Sequence, residues 1–344
     1  MRTIHARNVN DAFTVGVRML LSDGFRQPSR VGEVLTMGGP VTTTYECPRE
    51  RVLFHEARDA NPFFHLMESL WMLAGRDDVK WISEFSSGIS QFSDDGVSFH
   101  GAYGFRWRNH FDFDQLKSIQ HVLEEDPNSR RAILGMWDPN CDLGGFGKDY
   151  PCNLSIAFRI RHERLDMTVF NRSNDIIWGA YGANAVHMSV LQEILAGLLG
   201  VKVGRYYQVS NDYHAYVDVI GKLGEVQPHP MCPYDNGTVR FHNMVPYPED
   251  WFKDLELFIK DGGYLSPVEY SNPFFGGVAL PMIRAWRHWK RKHFLDALTE
   301  VGMITAPDWR FACDAWIRRR YERYVQADKS GGTRTKVAHD TGHQ

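Results

Sequence analysis

The sequence has few cysteines and spends none of them in pairs. Its five, Cys47, Cys141, Cys152, Cys232 and Cys313, are odd in number, widely spaced and free of any CxxC pair. That excludes a disulfide framework and a zinc knuckle, and points to a reducing compartment. Net charge is also scarce. A balance of −3 over 344 residues gives no overall pull toward nucleic acid or an anionic membrane, so an anionic ligand has to be held by local arginines. No window approaches the roughly 18 apolar residues of a membrane span, and residues 1–10 carry charge without the apolar run of a signal peptide. There is no internal repeat and no low-complexity linker. What is present is a chain 43% hydrophobic and 13% aromatic, ample for a buried core in one large or two ordinary domains. It is expected in a cytosol, its own or a host's.

Residues 150–175 concentrate the chemistry. A proline turn, Pro151-Cys152, presents a thiol, an alternating segment follows, and the cluster Asn171-Arg172-Ser173-Asn174-Asp175 comes after it. Thiol, guanidinium, hydroxyl and carboxylate in that arrangement supply a nucleophile, an anion clamp and an acid/base group. Residues 154–160 and 165–170 alternate as two strands across a short turn, a hairpin with Cys152 at one end and Arg172 at the other.

Upstream, residues 8–22 have helical spacing, and 23–30 read as a polar turn before a strand at 33–37. Arg30, two residues before Gly32, is either a phosphate ligand on a loop or a solvated arginine. Residues 63–75 read as a helix that is apolar nearly all round and closed by Gly75. Glu68 is therefore expected to be buried, as a structural ion-pair partner or as a tuned acid/base. Residues 81–101 read as loop and lead to Tyr103, placed next to glycine as pocket-lining tyrosines often are. A helix near 114–124 precedes Arg130 and Arg131, which open a buried strand. Neighbouring side chains on a strand point to opposite faces, so both arginines serve one site only at an irregular start or a subunit boundary; otherwise they are a solvated pair. Asn184 begins a helix over 183–199, where its amide can cap the helix or read a ligand edge. A strand over 204–210 runs into His214 and Tyr216, which share a face if the chain stays extended. The loop 227–233 holds one His and one Cys, too few for a metal. Residues 280–301 and 308–325 read as amphipathic helices with solvated basic faces, and 326–344 as a polar, disordered tail. The division expected is a catalytic unit at 1–275, a helical extension at 276–325 packed on it, and the tail.

Taken in order, these residues resemble the thymidylate synthase superfamily over 30–216. The matches are Arg30-x-Gly32, Glu68-x-x-Trp71, Tyr103-Gly104-x-x-Trp107-Arg108, Arg130-Arg131, Trp137-x-Pro139, Pro151-Cys152, Arg172-Ser173-x-Asp175 with Gly179 and Asn184, and Asp212-x-His214-x-Tyr216. The resemblance implies an α/β fold in which a large mixed sheet lies at a dimer interface under covering helices. It implies a pyrimidine deoxynucleotide monophosphate as substrate and 5,10-methylenetetrahydrofolate as co-substrate, with no metal. Cys152 would add to carbon 6 of the ring, its thiol lowered from an ordinary pKa of about 8.5 by Arg172. Arg30 and Arg172 would hold the phosphate in cis, Arg130 and Arg131 in trans from the partner subunit, with Ser173 beside them. His214 and Tyr216 would hold the sugar hydroxyl, Glu68 with Tyr103 would organise water and protons, and Asp175 would face the folate. Asn184 would read uracil, favouring dUMP over dCMP, although its spacing from Asp175 is one residue longer than the family's.

Three departures bear on the product. Asn153 stands where the family has a histidine, the loop 86–92 lacks the usual tryptophans with only Trp81 nearby, and the chain ends in polar residues after added helices. A wetter site favours water over hydride as the nucleophile that ends the reaction. The expectation is a hydroxymethylase of the kind phages use to make modified DNA bases, with thymidylate synthase as the close alternative and a dCMP hydroxymethylase after it. A DNA cytosine methyltransferase also uses Pro-Cys, but the chain lacks the glycine-rich cofactor loop and basic face that would need. Nucleic acid is thus not an expected partner of the site, although the basic helices leave room for a separate binding or scaffold role.

Overall fold

The hairpin around Cys152 forms, and it lies inside a larger sheet. In the computed structural model, which describes residues 1–224, 226, 232–262 and 269–329, β6 (Asn153–Arg161) pairs antiparallel with β7 (Arg164–Asn171). They are joined at His162 and Glu163, whose φ values of 50° and 59° make the left-handed two-residue turn that suits strand twist. β7 runs parallel to β9 (Lys202–Ser210), β9 pairs with β4 (Val41–Tyr45), and β4 with β1 (Arg2–Ala6), while β5 (Ile133–Gly135) completes the other edge. Ile156, Phe158, Leu165, Met167, Val169 and Tyr206 alternate onto one buried face, which α7 (Asn184–Leu198) covers. Each such side chain contributes roughly 1.5–3 kcal/mol by leaving water. The opposite face stays partly open, with Ile133 52% and Phe170 40% exposed. β5 is thus a half-exposed edge strand, not the buried one expected after Arg131.

A second sheet, in the order β2-β3-β10-β8, carries β2 (Phe25–Ser29), β3 (Gly32–Thr36), β10 (Tyr213–Tyr216) and β8 (Asn174–Asp175). β2 corrects the reading of 23–30 as a turn. All five of its residues are exposed, so no alternation marks it, and backbone pairing to β3 makes it a strand. β8 lies parallel to β10 with His214 opposite Asp175, which joins the end of the Cys152 hairpin to the His214–Tyr216 segment.

Helices pack around both sheets. α1 (Val9–Asp23) is capped by Asn8, whose side chain accepts from the amides of Asn10 and Asp11. α2 (Pro62–Leu73) starts with an Asn61 cap and a proline in its first turn, and Gly75 ends it with φ of 70°. The loop expected after it holds a short helix, α3 (Val79–Ile82). Then come α4 (Tyr103–Arg108), α5 (Gln115–Glu125), α6 (Pro139–Asp142), α7, α8 (Val217–Ile220) and α9 (Trp251–Asp261). The region read as one helix over 280–301 is two, α10 (Leu280–Lys290) and α11 (Phe294–Gly302), because Lys292 takes φ of 65° and reverses the chain. α12 (Pro307–Lys329) continues past the expected end at 325, and residues 330–344 of the predicted tail lie outside the described residues, as do 227–231 of the proline loop. The chain is mixed α/β, and among the described residues no helix is long and apolar enough to cross a membrane.

α10 and α12 pack against α2. Phe63 meets Trp286 at 5.7 Å and Trp316 at 5.5 Å between ring centres. The basic residues of these helices are not simply solvated, as expected from their pattern. Arg287 binds Glu84 at 2.7 Å, and Arg319 and Arg320 converge on Asp59 at 2.8 and 3.1 Å. Their partners lie more than 200 residues away in sequence, out of reach of a local pattern.

Candidate active site

A cleft of about 300 Å³ opens beside α2, and its walls bring together Glu68, Tyr103, Cys152, Ser173, Asp175 and Asn184. Six of the predicted site residues thus meet in one space. The turn before β6 sets the position of the thiol. Arg172 donates its main-chain N–H to the Cys152 carbonyl at 2.9 Å. Its guanidinium donates to the carbonyls of Pro151 at 3.0 Å and Tyr150 at 3.1 Å, and Nη2 stands 3.9 Å from Sγ. The two ends of the hairpin are therefore one unit. Arg172 and the Tyr103 hydroxyl both favour the thiolate, as expected for Arg172, but burial outweighs them and the Cys152 pKa is raised above its ordinary value. The expected net lowering is not what the free site has.

Tyr103 reaches Cys152 because α4 lies hard against α2. A Cβ on Gly104 would sit 1.9 Å from the Met72 carbonyl oxygen, so only glycine permits that approach. Burial first, then the Cys152 and Asp149 charges, push the tyrosine hydroxyl well above its ordinary pKa, which keeps it a hydrogen-bond donor. Asp149, which the sequence reading passed over, lines the same wall and accepts from the Gly101 amide at 2.7 Å.

The far wall is the entry to α7. Residues Ile176–Ala183 form a widened π-type turn kinked at Gly182, where φ is −113° and ψ −110°, and the Asn184 amide donates to the Gly179 carbonyl, five residues back. A π turn holds one residue more than an α turn, which accommodates the extra residue between Asp175 and Asn184. Asp175 starts the turn, with Oδ1 accepting from the amides of Ile177 at 2.8 Å and Trp178 at 2.7 Å. Its Oδ2 is buried without a partner, and burial raises its pKa. Asn184 does not cap α7. Its Nδ2 donates to Asn174 Oδ1 at 3.2 Å, and Gly179 leaves space for that contact, since a Cβ there would stand 3.0 Å from the Asn174 oxygen. Of the two roles open in the sequence, the cap is the one this geometry removes.

Glu68 is 15% exposed at its side chain, and His187 Nε2 stands 3.1 Å from its Oε2. His187, one turn after Asn184 on α7, was missed because a lone histidine in an apolar helix carries no sequence signal. Trp71, Phe92, Phe99 and Trp178 add flat apolar walls. Phe92 comes from the loop that lacks the family's tryptophans, while Trp81 packs on Phe85 at 5.1 Å and is not in the lining.

The remaining predicted residues lie at the margins. His214 and Tyr216 share a face of β10 with rings 5.9 Å apart. Burial lowers the His214 pKa, but the Asp212 and Asp175 carboxylates outweigh it and the net shift is upward. Arg30 is exposed and donates to the carbonyls of Gly147 and Lys148, both at 3.2 Å, across the rim. Arg130 and Arg131 are exposed ahead of β5 and do not line the cleft, so the chain alone does not bring them to Cys152. His110, Asp138 and Cys141 stand close enough to share an ion, but Asp138 is already engaged with His110 at 3.0 Å and with the Asn140 amide.

Comparison with known proteins agrees with this geometry. The family profile described as "Thymidylate synthase" matches residues 15–232. The chain is 47% identical over 335 residues to the deoxyuridylate hydroxymethyltransferase of Pseudomonas phage M6, covering 93% of this chain and 95% of that protein. It is 41% identical over 193 residues to the protein of that name from Bacillus phage SP01, covering 53% and 50%, and 34% identical over 180 residues to that of Delftia phage PhiW-14, covering 49% and 50%. With the Pro-Cys turn, the arginine behind it and the profile match all falling on the same stretch, the chain belongs to the thymidylate synthase family.

Proposed function

We propose that the protein transfers a one-carbon unit from 5,10-methylenetetrahydrofolate to carbon 5 of dUMP and releases 5-hydroxymethyl-dUMP. The observation that carries this is the cleft, which sets Cys152, Glu68, Asp175 and Asn184 around one space of about 300 Å³. The likeness to the phage M6 protein along nearly the whole chain supports it.

The Cys152 thiolate adds to carbon 6, and the ring's electron pair moves toward the carbon 4 carbonyl, which makes carbon 5 a nucleophile. Arg30 and Arg172, which here hold main-chain carbonyls, turn to the 5′-phosphate with Ser173. Arg130 and Arg131 join them from a second copy of the chain, and the partly open face carrying Ile133 and Phe170 is the surface through which that copy docks. His214 and Tyr216 hold the sugar hydroxyl. Asn184, tied at Nδ2, presents its oxygen to the uracil N3–H and its other N–H to a ring carbonyl.

The folate would supply the one-carbon unit at the oxidation level of formaldehyde: carbon 5 bonds to it and gives up its own hydrogen as a proton, and the folate nitrogen departs with its bonding pair as tetrahydrofolate, which leaves an exocyclic methylene on the ring. The cleft suits the folate, with Trp71, Phe92, Phe99 and Trp178 as flat walls and Asp175 Oδ2 as a buried acceptor in want of a donor. Glu68 then takes a proton from water while the water oxygen bonds to the exocyclic methylene on the ring. The methylene's π pair moves to the carbon 4 carbonyl and returns to expel the Cys152 thiolate from carbon 6. Among the described residues none after His187 lines the cleft, so α10–α12 do not shut water out.

The test is to incubate the protein with methylenetetrahydrofolate and either dUMP or dCMP, weigh the product by mass spectrometry and follow absorbance for dihydrofolate. A hydroxymethyl product from dUMP without dihydrofolate is expected. A methyl product with dihydrofolate in equal amount would make it a thymidylate synthase, and turnover of dCMP alone would overturn the base assignment.

A further inference from the structure

Two polar atoms face each other in the cleft with nothing else to bind. Glu68 Oε2 and His187 Nε2 are 3.1 Å apart, yet neither is in a formed hydrogen bond. The His187 side chain is only 3% exposed, and both residues line the space that holds Cys152 and Asn184. An apolar side chain of the same shape would fill this place on α7 without removing two ring nitrogens from water, so packing alone does not account for an imidazole. Its neighbour His65, edge-on at 6.5 Å, is held neutral by burial, with Arg58 acting the same way. The carboxylate is therefore the polar group that His187 meets across the α2–α7 contact. Asn153, next to Cys152, is fully buried and outside the cleft lining, so it does not do this from the other side.

We propose that His187 is a positioning residue for hydration of the methylene: its Nε2–H engages Glu68 Oε2 and leaves the other carboxylate oxygen directed at the attacking water. This rests on the reading of Glu68 as the group that takes the water's proton. His187 itself gains and loses nothing in the step. The water O–H bond breaks with its proton going to Glu68, the C–O bond forms, the methylene π pair passes through the carbon 4 enolate to restore the carbon 5–carbon 6 double bond, and the carbon 6–sulfur bond breaks with its pair leaving on the Cys152 thiolate. Asn184 and His187 are three residues apart on α7, so one helix face orients the base and the carboxylate together.

The experiment compares wild type, His187→Leu and His187→Gln with dUMP tritiated at carbon 5. Tritium release reports bond formation at that carbon, and mass spectrometry reports the hydroxymethyl product. Leucine keeps the volume without a donor; glutamine restores an N–H at similar reach. In His187→Leu, product formation should fall about 100-fold while tritium release falls much less, with KM for dUMP little changed. His187→Gln should recover most of the loss. A small thiol, whose anion needs no base, should be captured by the stalled methylene in the leucine variant. If that variant does not fold by near-ultraviolet circular dichroism, His187→Asn, too short to reach Glu68, replaces it. Product formation at the wild-type rate, equal loss of tritium release and product, or a folded glutamine variant as slow as leucine would each overturn the proposal. Failure of the underlying reading is separate, because it shows in the unmutated protein as a methyl product with dihydrofolate.

Discussion

α2 has two sides, and the protein uses them differently. Toward the C-terminal helices, Phe63 enters an aromatic cluster in which Trp286 and Trp289, and Trp289 and Trp316, stand 4.7 Å apart. Toward the cleft, Glu68 and Met72, one turn apart, face a space where Glu68 Oε2, His187 Nε2 and Asp175 Oδ2 all lack partners. A buried polar atom left unsatisfied costs roughly 1–3 kcal/mol, so the cleft side carries a stability debt that substrate or water can cancel. The packed side, where Trp286 Nε1 donates to the Glu84 carbonyl at 3.0 Å and Trp316 Nε1 is buried without a partner, offsets it. Stability and chemistry are thus separated by the width of one helix.

That separation can be broken by mutation. The largest effect belongs to Cys152→Ser, expected to abolish turnover while dUMP still binds by calorimetry; turnover near wild type would end the covalent mechanism. Next, Glu68→Gln should slow hydroxymethyl formation by about 10²–10⁴ and leave stability unchanged or higher, since a partly buried carboxylate is removed. A matching loss in urea denaturation would erase the distinction between the two sides. Trp316→Ala should do the reverse, lowering unfolding free energy by about 3–5 kcal/mol while the folded enzyme keeps kcat within a few-fold. The smallest effect is the pH dependence carried by His214. Its pKa is raised in the fold, so its stabilisation is complete below the ordinary value of 6.5 and fades as pH climbs through the raised one. His214→Asn should flatten that decline, by under about 1 kcal/mol, in denaturation curves taken from pH 6 to 9.

The chain announced some of this and concealed the rest for physical reasons. The hairpin, α2 and α7 are legible because apolar periodicity and turn chemistry are local. β2 is not, since a strand exposed on every residue has no pattern, and the break at Lys292 is a left-handed residue with no glycine to mark it. The Pro-Cys turn and its arginine were visible as a motif. Net thiol acidity was not, because burial depends on the whole fold and outweighs the one neighbour that sequence suggested. His187 and the arginines on Asp59 depend on contacts between distant segments, which no window of sequence contains.

The π turn at Ile176–Ala183 carries a last consequence. A helix advances about 100° per residue, so an insertion ought to rotate every side chain downstream and turn the wrong face of α7 to the sheet. Here the widened turn takes up the extra residue before Asn184, and Asn184 and His187 both face the cleft. In this chain the place of Asn184 is thus set by its angle about the helix axis, not by its count of residues from Asp175. Deleting Ala183 should tighten the turn to α geometry and leave the α7 side chains in phase, a change that hydrogen exchange at the Asn184 amide would register.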